Sequence, residues 1–89
     1  MRLVAKIELD FPIKLNGAEI STITMRRPKT RDDVTYARSG KDVVDRNLDL
    51  YASLCEMTPD EILELDSTDY DKLEDQYRSF KGRRSPETS

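Results

Sequence analysis

Three aspartates, Asp42, Asp45 and Asp49, recur at helical spacing, and paired carboxylates in different environments are the raw material of general acid–base catalysis. Nothing apolar lies on that face to raise one pKa above the other, and no His, Ser or Lys stands at partner spacing. We read the three as a solvated face, or as an acidic docking surface for a basic partner. Asp66-x-x-Asp69-x-Asp71 invites comparison with a calcium loop, but the Asp at positions 1, 3 and 5, the Gly at 6 and the Glu at 12 are not in place. Helix capping by Asp66 or Ser67, with acids in the first turn, accounts for these residues.

The chain has no histidine and one cysteine, Cys55, which removes Ser/His/Asp and Cys/His mechanisms, zinc sites of the Cys/His type and an intrachain disulfide together. Cys55 follows Tyr51 by one turn on an apolar face and reads as a buried, inert thiol. With no phosphate loop either, the residues describe a protein that is not an enzyme and uses no cofactor. Arg26, Arg27, Lys29 and Arg31 form the remaining constellation. They could grip nucleic acid as a small regulator would, with steep salt dependence, or pair with acidic helices in the same or another molecule.

Charge is laid out in blocks. Residues 1–41 carry a net +4, residues 42–75 a net −10 and residues 76–89 a net +3, within an overall −3. The apolar fraction is 36% and the charged fraction 37%, so the core should be thin, and a partner would add to stability. The 89 residues suffice for one small α+β domain over 1–80, followed by a polar tail over 81–89 expected to be disordered. No apolar run is long enough to span a bilayer and the N-terminus alternates like a strand, so a cytoplasmic location is expected.

Leu3, Ala5, Ile7, Leu9, Phe11, Ile13 and Leu15 all fall on odd positions, a period of two. Asp10 and Pro12 interrupt it, which predicts strand, bend, strand. Asn16-Gly17 supplies a type I′ turn that sets Leu15 opposite Ala18, Lys14 opposite Glu19 and Ile13 opposite Ile20. Beyond Ile20 the apolar parity changes to Ile23 and Met25, which predicts a bulge or twist near Ser21 and Thr22 and a sheet of three antiparallel strands.

Three to four short helices should follow. The first covers about residues 31–38, with Thr30 as its cap and Asp32 and Asp33 in its first turn. Asp42 opens the second, with stripes Val44, Leu48, Tyr51, Cys55 and Val43, Leu50, Leu54, Met57 forming a broad apolar face. Thr58-Pro59-Asp60-Glu61 reads as N-cap, Pro at N1 and a capping box, placing Ile62, Leu63 and Leu65 under a tight corner. The last helix carries Tyr70, Leu73, Tyr77 and Phe80 along one side. Such a stripe suits a core, and its later half also suits a binding surface that so small a sheet would leave uncovered.

Pro12-Ile13-Lys14-Leu15-Asn16-Gly17, Met25-Arg26-Arg27-Pro28, Thr30 with Asp32, and Met57-Thr58-Pro59-Asp60-Glu61, in this order and spacing, resemble the small tail assembly chaperones of Mu-like phages and prophages. Arg27 departs from the acidic residue that usually separates the Arg and Pro of the strand exit in that family. The resemblance implies a non-enzymatic factor in the host bacterial cytoplasm that coats the tape measure protein until tail tube subunits replace it. It also implies short and frameshift-extended forms, and names no active-site residue. On this reading the client meets the C-terminal helices through Tyr70, Leu73, Tyr77 and Phe80, with Asp42, Asp45 and Asp49 as charged surroundings, while the sheet is a scaffold and an edge for homo-oligomer formation.

Overall fold

The structure, a computed structural model, describes residues 4–82 as an α+β fold. Strands β1 (Val4–Leu15) and β2 (Ala18–Arg26) form an antiparallel ribbon, and helices α1 (Thr30–Arg38), α2 (Val43–Cys55), α3 (Pro59–Ile62) and α4 (Ser67–Gly82) follow. Asn16 at φ 53° and Gly17 at φ 83° close the hairpin as a type I′ turn, with Leu15 opposite Ala18, Lys14 opposite Glu19 and Ile13 opposite Ile20.

The sheet has two strands and not the expected three. Asp10 and Pro12 interrupt the pairing without ending the strand: the ladder runs from Val4↔Arg26 to Glu8↔Thr22 and resumes at Ile13↔Ile20. Residues 9–12 of β1 thus stand against Ser21 alone, so the extra residues of the irregularity belong to β1.

Ala5, Ile7, Leu9, Ile23 and Met25 give the ribbon one apolar face. Against it pack Leu50, Tyr51, Leu54 and Cys55 of α2, Ile62 and Leu65 around α3, and Leu73 and Phe80 of α4. The helices begin where local chemistry dictates. Asp42 accepts the Asp45 amide at 3.0 Å, and Thr58 and Glu61 exchange bonds of 3.2 and 3.0 Å in a reciprocal capping box. α1 starts one residue earlier than expected, because Asp32 reaches back to the Lys29 amide at 2.7 Å. Leu63, expected beneath the corner, points outward with 61% of its surface exposed, and Ile62 and Leu65 fill that space.

Helix α4 extends through Lys81 and Gly82, two residues assigned to the tail on sequence. The rest of that tail, residues 83–89, lies outside the described residues.

Candidate functional site

The aromatic side of α4 faces the protein. Leu73 is 0% and Phe80 6% exposed, both built into the core, so neither is an accessible anchor for a partner. Tyr70 and Tyr77 are half-buried and clasp Tyr51 of α2 edge-on, each with its ring centroid 5.7 Å away. Burial raises the pKa of all three phenols above the usual tyrosine value, so they stay neutral. The reason is geometric: α4 packs its stripe onto the ribbon at β1, and at Tyr70 and Tyr77 onto Tyr51 of α2, so the stripe is spent inside the fold.

The three α2 aspartates do not act as a group. Asp42 is the N-cap, Asp45 is exposed, and Asp49 accepts from Lys41 Nζ at 2.7 Å. Cys55 is buried, and burial pushes its thiol up to about 12, far from a reactive thiolate.

The basic turn is partly occupied as well. Arg26 makes a fork of two bonds, 2.9 and 3.0 Å, to Asp32, which is itself buried. The side-chain hydrogen bond from Arg26, outweighing the cost of burial, holds the Asp32 carboxyl below the usual aspartate range. Arg27 lies over the Phe80 ring at 5.5 Å. Only Lys29 and Arg31 of the four remain exposed, while Arg26 clamps β2 to α1 and Arg27 lies against α4.

Sequence reasoning missed a groove between α1 and α2. Its cavity of 490 Å³ is lined by residues that include Val34, Tyr36, Arg38, Arg46, Asp49 and Leu50. Arg46 lies over the Tyr36 ring, 4.9 Å from the centroid, and the Tyr36 hydroxyl is fixed by donating to Asn47 Oδ1 at 2.9 Å. Arg46 Nε is buried with no hydrogen-bond partner among the described residues. Near this groove α2 begins with Val43 and Val44, 53% and 63% exposed. The Tyr36-to-Arg46 spacing carries no local signal, since the two side chains meet only when α1 folds against α2.

Among the described residues, no three His, Cys, Asp or Glu side chains are grouped to hold a metal ion, and no helix is long and apolar enough to cross a membrane. The described residues form a small sheet carrying a helical layer, with apolar side chains such as Val34, Val43, Val44 and Leu63 exposed on the helical side. Residues 6–82 match the model of the family described as phage tail assembly chaperone proteins, E, or 41 or 14, and the chain belongs to that family. No curated protein and no solved structure matches it.

Proposed function

We propose that the protein is a non-enzymatic chaperone that binds the tape measure protein of a phage or prophage tail in the host cytoplasm and keeps it soluble until tail tube subunits take its place. The family match across residues 6–82 carries the reading. The surface supports it: a chaperone for an aggregating client needs apolar contacts rimmed by charge, and Val34, Val43, Val44 and Leu63 stand exposed on a chain that is 37% charged. With Leu73 and Phe80 enclosed, a client would meet the outer surface of the helical layer, where Val34, Val43, Val44 and Leu63 are exposed.

The test is co-expression with a tape measure protein of the same phage or prophage. The client should be soluble and co-purify with the chain, and should pellet when expressed alone. A client that stays in the supernatant without the chain, or never co-purifies with it, removes the proposal.

A further inference from the structure

The groove between α1 and α2 holds a cation with nothing to bind. Arg46 presents a planar fork of donors, and its Nε is buried without a hydrogen-bond partner among the described residues. Its orientation is nonetheless set, because the guanidinium lies over Tyr36 at 4.9 Å and Tyr36 is in turn tied to Asn47. The two carboxylates lining the same groove are already taken: Asp32 by the Arg26 fork and Asp49 by Lys41 at 2.7 Å. Arg38, at the last turn of α1, also has no ion-pair partner among the described residues. The groove therefore carries two cations without an ion-pair partner among the described residues, beside two carboxylates that are each already paired.

We infer that this groove is a receptor for a client segment in which a carboxylate is flanked by apolar side chains. The carboxylate is taken by Arg46, with Arg38 beside it, and the apolar neighbours lie against Val34, which is 41% exposed. A guanidinium already stacked on an aromatic ring loses little freedom when it forks onto a carboxylate, which is what makes Arg the suitable residue here. The cavity of 490 Å³ is in the range that takes a few side chains. The charge assignment selects the occupant: a basic segment would be repelled by Arg38 and Arg46, and a purely apolar one would bury both without a counter-charge.

This inference rests on the chaperone reading, and the experiment separates the two. Peptides tiling the tape measure protein are immobilised, each beside a copy with Asp and Glu changed to Asn and Gln, and probed with the full chain and with its Arg46→Gln and Arg38→Gln variants. Tyr36→Phe serves as a control that keeps the ring beneath Arg46, and circular dichroism verifies the fold of every variant. The expected result is capture of acidic, apolar segments, weakened at least tenfold by the amide copies and by Arg46→Gln, and less by Arg38→Gln.

Equal capture of acid and amide peptides, or undiminished capture by a folded Arg46→Gln chain, overturns the groove while leaving the chaperone reading in place. Failure to bind either the tiled peptides or the whole tape measure protein overturns both. Sedimentation of the chain alone adds one more outcome: a dimer that dissociates on Arg46→Gln would mean a second copy fills the groove, and the inference would be wrong.

Discussion

Asp69 on α4 accepts the backbone amide of Phe11 on β1 at 3.0 Å, across 58 positions of sequence. The other oxygen takes the neighbouring Asp10 amide at 2.9 Å, and Lys72 stands 3.3 Å from the same carboxylate while donating to the Glu8 carbonyl at 2.8 Å. These contacts fall where β1 loses its pairing with β2. A stretch of strand without a ladder needs partners for its amides, and a helix side chain supplies them. Asp69 is 0% exposed, so its charge is tolerated only because two amides and an ammonium surround it.

Replacing Asp69 by Asn should therefore cost about 1–3 kcal/mol, because an amide side chain cannot accept from both backbone groups with its two heavy atoms. At roughly 4–8 °C per kcal/mol for a domain of this size, the melting temperature should drop visibly in a thermal scan. A variant that melts with the parent would show that the contact contributes nothing.

Stability should also fall in acid. Burial pushes the Asp69 carboxyl up, but the amides of Asp10 and Phe11 together with Lys72 outweigh it and leave it lowered, and Asp32 is lowered likewise by Arg26. Both groups have folded-state values below the unfolded aspartate, near about 3.9. In the acid range the unfolded chain then binds more protons than the native one, so stability rises with pH there. The contribution is full above about pH 5 and disappears as pH falls through the folded values. Urea midpoints measured from neutral pH downward should show this loss, and Asp69→Asn should flatten it. An unchanged acid slope in that variant would contradict the assignment.

Leu73→Ala removes a side chain with no solvent exposure and should destabilise by about 2–5 kcal/mol. Against a total of roughly 5–15 kcal/mol, that is enough to leave part of the population unfolded on warming. Val44→Ser, at a residue 63% exposed, should stay within about 0.5 kcal/mol of the parent. Denaturant titration of the pair distinguishes a core residue on α4 from a surface residue on α2, and equal effects would refute the placement.

Glu56 ends α2 at φ 57°, and the Met57 amide closes the helix by donating to the Ala52 carbonyl at 2.8 Å. A glutamate in the left-handed region is strained, whereas glycine adopts it freely. Glu56→Gly should raise stability by about 0.5–1 kcal/mol, the relief of strain exceeding the added freedom of the unfolded chain. A lower melting temperature would mean that the glutamate side chain stabilises the native state by more than its backbone costs.

Features decided within a few residues were legible in the sequence. Asn16-Gly17 sets its own turn, and the turn sets the register of the pairs next to it. Asp42, and Thr58 with Glu61, cap helices through contacts three residues long. Cys55 lay within an amphipathic repeat, and its burial followed from that.

Asp69 shows where such reading stops. As an acid in a first helical turn it had a sufficient local explanation, and nothing nearby announced the amides of Asp10 and Phe11. The stripe of Tyr70, Leu73, Tyr77 and Phe80 gave a helix face, but periodicity does not say whether a face meets solvent or another helix. That depends on how much area a ribbon of two strands can cover, and here Tyr51 lies between Tyr70 and Tyr77. Likewise, Arg46 and Tyr36 meet only when α1 and α2 lie side by side. Short-range sterics and hydrogen bonding thus set the hairpin turn and the helix caps from the sequence alone, while the number of strands and the end of α4 did not follow from them. Which carboxylates and cations are paired was decided by long-range packing, because charge neutralisation depends on distance in space and not on separation along the chain.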